Sequence, residues 1–157
     1  MSNIQITVEE INKMNPLDIV LSAPVKQRFI QIYDTLWGEG TGEPAYERES
    51  IFFNRILADN EKLMKGVTRF SIFTTFIDLA VCGLSVEPGV RALAYLQGRN
   101  AKIGKGADGK DIYEGRLTLT ISGYGELVLR SRCGQIKYAD NPVLVYEEDS
   151  FSFSEDR

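Results

Sequence analysis

The chain has 157 residues, 43% hydrophobic and 25% charged, which is the composition of one globular domain rather than of a disordered segment or a coiled coil. It contains no histidine, which excludes Ser-His-Asp and Cys-His nucleophile systems, HExxH metalloprotease chemistry and any imidazole ligand set. The net charge is −4, and the two cysteines, Cys82 and Cys133, form no CxxC, so neither a zinc site nor a disulfide framework is indicated and a reducing cytoplasmic compartment is the simplest setting.

Met1 to Asn15 mixes Gln5, Glu9, Glu10 and Lys13 with single aliphatics and has no apolar run of the kind a signal peptide needs. Ile4 to Val8 alternates briefly and reads as a short strand or an ordered arm, so residues 1–21 are taken as an N-terminal arm ahead of one domain over 22–157. Ser22-Ala23-Pro24 opens a helix that carries Val25, Phe29, Ile32, Tyr33 and Leu36 at helical spacing and stops at Gly38, with Trp37 at its end. After the Gly38 to Gly42 connector, a second helix starts near Glu43-Pro44, carries Tyr46, Ile51, Phe52, Ile56 and Leu57, and ends near Asp59-Asn60. A third runs from about Thr68 through Phe73, Ile77 and Val81 to Gly83, and its all-round apolarity predicts a central, largely buried position. The stretch Phe70 to Leu84 also holds Ser71, Thr74, Thr75 and Asp78, and is too short and too polar to span a bilayer.

Beyond Pro88 the period changes from helical to alternating. Ala92 to Leu96 reads as a strand, Asn100 to Lys110 as a glycine- and lysine-rich turn, and Leu117, Leu119 and Ile121 alternate with Arg116, Thr118 and Thr120 as a returning strand. Glu126 to Cys133 reads as a helix with Gly134 as its stop, and the runs Val143 to Tyr146 and Phe151 to Ser154 read as further strands. The predicted class is α+β, with N-terminal helices packed on a small antiparallel sheet that contains a basic β-hairpin followed by a helix.

Charge is unevenly distributed. Between Arg91 and Lys137 stand nine basic side chains against Asp108, Asp111, Glu114 and Glu126, so this segment carries +5 within a chain of net −4. Such asymmetry marks either an anionic partner or a solvated face. Gly104 to Asp111 satisfies GxGxxG and comes within one residue of GxxxxGK[ST], but both phosphate loops require a helix at the last glycine, and the sequence after Lys110 alternates as a strand. A hairpin tip with Lys102, Lys105 and Lys110 is the preferred reading, because flexible lysines contact a nucleic-acid backbone without fixed geometry. Tyr124, between Gly123 and Gly125, either stacks on a base or plugs the core. Arg130 and Arg132 diverge by about 200° on a helix. One is positioned for phosphate by its planar fork while the other pairs internally, with Asp78, Glu126 or Asp140 as partners. The carboxylate groups Glu9-Glu10, Glu47-Glu49 and Glu147-Glu148-Asp149 lack a recognisable catalytic partner.

Four ordered blocks carry a family resemblance: Gly83-Leu84-Ser85-Val86-Glu87-Pro88; Ala94-Tyr95-Leu96; Leu119 through Ile136; and Val143 through Phe151. In order and spacing they resemble the RecT-type single-strand annealing proteins of phage and prophage, over about Phe70 to Phe153. Where that family commonly has Gly-Tyr-Lys/Arg-Gly before the helix, this chain has Ser122-Gly123-Tyr124-Gly125. Family members also usually run beyond the last block, so the resemblance implies that a C-terminal part of the family is absent here.

The resemblance implies a single-stranded DNA-binding protein that promotes ATP-independent annealing of complementary strands in phage-type homologous recombination. It implies no enzymatic step and no cofactor or metal. The implied partners are single-stranded DNA, the annealed duplex intermediate, further copies of the chain in a ring or filament, and a partner exonuclease, in the cytoplasm of a bacterial host and away from any membrane. The expected DNA-contacting residues are Arg99, Lys102, Lys105, Lys110, Arg116, Arg130, Arg132 and Lys137, with Tyr124 as stacker or plug. The rival expectations are a truncated DNA- or protein-binding regulatory module without annealing activity, and a carboxylate-metal nuclease or nucleotide hydrolase.

Overall fold

Thr7 starts the first helix, α1 (Val8–Lys13), through a reciprocal cap: its hydroxyl accepts from the Glu10 N–H, and the Glu10 carboxylate accepts from the Thr7 N–H at 2.7 Å. This computed structural model describes residues 6–139, 144–150 and 152. The segment read from sequence as an arm contributes Ile11, Ile19 and Val20 to the same core as the later helices, each at most 1% exposed. Of the stretch Ile4 to Val8 read as a short strand or arm, Ile6 and Thr7 are not in a strand, Val8 opens α1, and Ile4 and Gln5 lie outside the described residues.

Helices α2 (Ala23–Trp37), α3 (Gly42–Asp59) and α5 (Arg69–Cys82) form where the sequence predicts them, although Leu36, Ile51 and Val81, read as part of their apolar spacing, are exposed. A short α4 (Glu61–Gly66), capped by the Asn60 side chain, joins the last two. Neither α1 nor α4 is predicted from periodicity, because six residues are too few to repeat an apolar face. The rings of Phe29 and Phe76 stack with centroids 4.7 Å apart, and Phe53 meets Phe76 edge-on at 5.1 Å, so these aromatics form the junction of α2, α3 and α5. α5 buries Ile72, Thr75, Phe76, Leu79 and Ala80, while Phe70 and Val81 remain exposed, so its burial is confined to one face.

Glu49 on α3 is fully buried. Its carboxylate accepts from the Val86 N–H at 3.0 Å and from the Arg48 guanidinium at 2.7 Å, which ties the chain after α5 to the helical body.

β1 (Ala94–Lys105) and β2 (Asp111–Ile121) form one antiparallel hairpin in register Ala94↔Ile121, Arg99↔Arg116 and Lys102↔Tyr113, with a bulge between Lys102 and Gly104. The turn is therefore shorter than predicted, since the strand continues through Asn100 to Lys105. Most of this distal half is exposed on both faces, so it lacks the apolar alternation by which a half-buried strand is recognised. The base of the hairpin is held by α5: the Ser71 hydroxyl accepts from the Leu117 N–H and the Thr75 hydroxyl donates to the Leu117 carbonyl, both at 2.9 Å. Two polar residues on an apolar helix thus satisfy an edge of β2 that would otherwise be buried unpaired.

Ser122 then caps α6 (Gly123–Arg132), which begins three residues before the predicted start because the Ser122 hydroxyl accepts from the Gly125 N–H. Leu144 to Tyr146 are not in a strand, which corrects that expectation. Val143, Phe151, Phe153 and Ser154, on which the remaining strand predictions rest, lie outside the described residues. The class is α+β, helices first, then the two-stranded sheet and a final helix.

Candidate nucleic-acid interface

The alternation of a strand assigns the side chains of the hairpin to two faces. Leu96, Gly98, Leu117 and Leu119 turn toward the helices: Leu117 is buried, Leu96 and Leu119 pack on the core, and a Cβ on Gly98 would meet Leu63. Tyr95, Gln97, Arg99, Arg116, Thr118 and Thr120 therefore share the opposite, open face.

On that open face Arg99 and Arg116 are direct register partners. Two like charges directly opposite on a sheet repel. Arg116 is compensated by Glu114, two residues away on the same face and 2.9 Å from its Nε. Arg99 donates to the neutral Gln97 amide oxygen at 3.2 Å, and among the described residues no carboxylate lies within ion-pair distance of it. The same Gln97 oxygen accepts from the Thr120 hydroxyl at 3.0 Å, and the Gln97 carbonyl accepts from Thr118. Gln97 is thereby fixed between Thr120 and Arg99, and Tyr95, which is 47% exposed, is the register partner of Thr120 on the same face. Such a surface offers a phosphate two forked donors and a base one ring face.

The tip carries the lysines. Lys102 pairs with Asp111 at 2.7 Å and Lys110 approaches Asp108 at 3.7 Å, whereas Lys105 has no carboxylate partner among the described residues. No helix follows Lys110: β2 begins at Asp111, and the glycines close a turn in which the Gly106 N–H donates to the Lys110 carbonyl at 2.7 Å. The phosphate-loop reading fails on that geometry.

On α6 the expected divergence of the two arginines is present, and both are engaged within the protein. Arg130 donates to Glu126 one turn earlier, at 3.0 Å from Nε. Arg132 does not reach Asp78; it donates to the Gly83 carbonyl at 2.9 Å and lies over the Trp37 ring. Asp140, the third partner considered, lies outside the described residues. Lys137 is exposed beyond the end of α6. Tyr124 is 41% exposed and has the Arg91 guanidinium 5.8 Å from its ring centroid, so it does not plug the core.

Sequence reading missed the role of Arg91 and the apposition of Arg99 with Arg116. The first depends on a loop of irregular conformation, and the second on a register set by the turn; the Gln-x-Arg and Glu-x-Arg spacings were the only signal available.

Among the described residues no group of three or more metal-ligating side chains converges, and no helix is long and apolar enough to cross a membrane. The Glu147 to Asp149 group forms a turn in which Asp149 accepts from the Tyr146 N–H at 2.9 Å. No protein-family model matches the chain, and neither a curated protein nor a solved structure matches it.

Proposed function

We propose that the chain binds single-stranded DNA along the open face and tip of the hairpin and promotes annealing of complementary strands without a nucleotide cofactor. The observation that carries this reading is the open face of the hairpin: Arg99 and Arg116 are register partners on it, Arg116 is compensated by Glu114, and Arg99 has no carboxylate within ion-pair distance among the described residues, which leaves its fork for a phosphate. Tyr95, two register pairs along the same face, and Lys105 at the tip, which has no carboxylate partner among the described residues, extend the surface with a stacking ring and a cation. The ordered blocks from Gly83 to Ile136 support a RecT-type assignment, with assembly into rings or filaments and cooperation with an exonuclease following from that resemblance. The chemistry requires no catalytic group, because the protein neutralises phosphate charge and base pairing supplies the driving force.

The test is fluorescence-monitored annealing of two complementary oligonucleotides across a salt series, without nucleotide, with binding to each strand recorded in parallel. Accelerated annealing together with binding that weakens steeply with salt is the expected result. Salt-insensitive binding, or none, overturns the proposal. Salt-sensitive binding without annealing returns the narrower alternative of a regulatory DNA-binding module.

A further inference from the structure

The loop between α5 and β1 encloses an open cleft of about 410 Å³, within the size range of small-molecule sites. Its walls are chemically divided. Pro88, Ala92 and Leu93 supply apolar surface, while Glu87 and Arg91 supply one charge of each sign. The loop is held at both ends: the Val86 N–H is fixed by buried Glu49, and the Ala92 and Leu93 carbonyls accept from the Ser122 hydroxyl and N–H at 2.6 and 3.0 Å. Behind the lining, Tyr124 in the first turn of α6 backs Arg91, with its ring centroid 5.8 Å from the guanidinium carbon.

We infer that this cleft is a nucleobase pocket, and that it accepts an unstacked base carrying an exocyclic amino group from the single strand bound along the hairpin. The inference rests on the DNA-binding reading above and adds a base-contacting site to it. A base needs an apolar wall, an aromatic or guanidinium plane to stack on, and a polar group at its edge; Pro88 and Leu93, the Arg91 guanidinium held in place by the Tyr124 ring, and Glu87 supply these in turn. A carboxylate is unfavourable beside phosphate but accepts from the amino group of cytosine, and thymine offers only an acceptor at that position. Glu87 has no ion-pair partner among the described residues, so its carboxylate is available for that contact. Arg91 is then placed to hold the phosphate attached to the bound base.

The experiment compares binding of three oligomers of equal length, all-cytosine, all-thymine and abasic, to the full chain and to its Tyr124→Leu and Glu87→Gln variants at neutral to slightly alkaline pH. Tyr124 is substantially exposed, so Tyr124→Leu keeps apolar bulk without disturbing the core. The native chain is expected to bind the cytosine oligomer about tenfold more tightly than the abasic one, with thymine between them. Tyr124→Leu weakens cytosine binding severalfold and narrows its margin over the abasic oligomer to what stacking on Tyr95 supplies, while leaving the abasic oligomer unaffected. Glu87→Gln erases the preference for cytosine over thymine, because the amide presents a donor as well as an acceptor. Equal binding of all three oligomers by the native chain, or unchanged cytosine binding by Tyr124→Leu, overturns the pocket while leaving hairpin binding intact. Failure of every oligomer to bind overturns the underlying DNA-binding reading and the pocket together.

Discussion

The guanidinium of Arg132 lies 4.8 Å from the ring centroid of Trp37, and both side chains donate into the C-terminus of α5: Arg132 to the Gly83 carbonyl and Trp37 Nε1 to the Ala80 carbonyl, each at 2.9 Å. Helix ends leave carbonyls without intrahelical partners, and a cation there also meets the negative end of the helix dipole. Gly83 makes this possible with a left-handed turn at φ +60°, and an added Cβ would run into the Trp37 ring. The ends of α2, α5 and α6 therefore meet at one cation.

Arg132→Ala is expected to destabilise the fold by about 1–2 kcal/mol, the range for a lost charged hydrogen bond together with a partly exposed cation–π contact. Trp37 is the only tryptophan, so its fluorescence follows both the local change and global denaturation. DNA affinity of the folded protein should be nearly unchanged. A large loss of affinity without loss of stability would place Arg132 in the binding surface instead.

For the arginine pair the two effects separate. Arg99→Gln removes one of two facing cations, so stability should stay constant or rise by a few tenths of a kcal/mol. Single-strand affinity should fall, and the slope of log affinity against log salt should become shallower by about 0.7 for the lost contact. Arg116→Gln should weaken binding too, but it also frees Glu114, whose uncompensated charge then repels DNA. Denaturation curves and salt titrations of the two variants check both halves.

Docking of the hairpin depends on a missing side chain. The Gly115 carbonyl accepts from the Thr68 N–H at 2.9 Å, and a Cβ on Gly115 would collide with the Gly66 carbonyl oxygen. Gly115→Ala should therefore cost roughly 1–3 kcal/mol through displaced backbone. Gly104→Ala, where a Cβ meets nothing within 4 Å, should be neutral within about 0.5 kcal/mol. Comparable denaturation midpoints for the two variants would contradict this account of docking.

The α1 cap predicts a pH dependence. The Thr7 N–H and hydroxyl both donate to the Glu10 carboxylate and hold its carboxyl below the ordinary 4.5. Because the folded value is the lower one, the cap's contribution is fully present above about 4.5 and is lost as pH falls through the folded value. Urea midpoints of the native chain and of Glu10→Gln should differ at neutral pH and converge in acid. A gap that persists or widens in acid would show that the carboxylate charge does not stabilise the cap.

Much of the helical body was legible in the sequence. Val25 and Phe29, and Tyr46 and Leu57, recur at the spacing of one helix face and are buried, whereas on α5 the predicted spacing runs through Phe73, Ile77 and Val81 and the buried residues are Ile72, Phe76 and Leu79, because a helix that is apolar all round does not encode which side meets the core. The glycine stops at Gly38 and Gly83 were legible for the same local reason: both adopt positive φ. The exposed half of the hairpin was not, since a strand with no buried face has no alternation to read.

The sequence by itself determined the positions of the three long helices, the presence of a hairpin and the concentration of positive charge between Arg91 and Lys137, because periodicity, turn chemistry and charge are local properties of the chain. Only the tertiary structure decided which cations are committed within the protein. Arg132 looks equivalent to Arg99 in a list of basic residues, but α6 packs beside the end of α5 and directs Arg132 to Gly83 and Trp37, 49 residues away at the carbonyl. The hairpin register sets Arg99 against Arg116 instead, on a face that no helix covers. Charge is a property of the residue, whereas its availability depends on which donors and acceptors folding brings within about 3 Å.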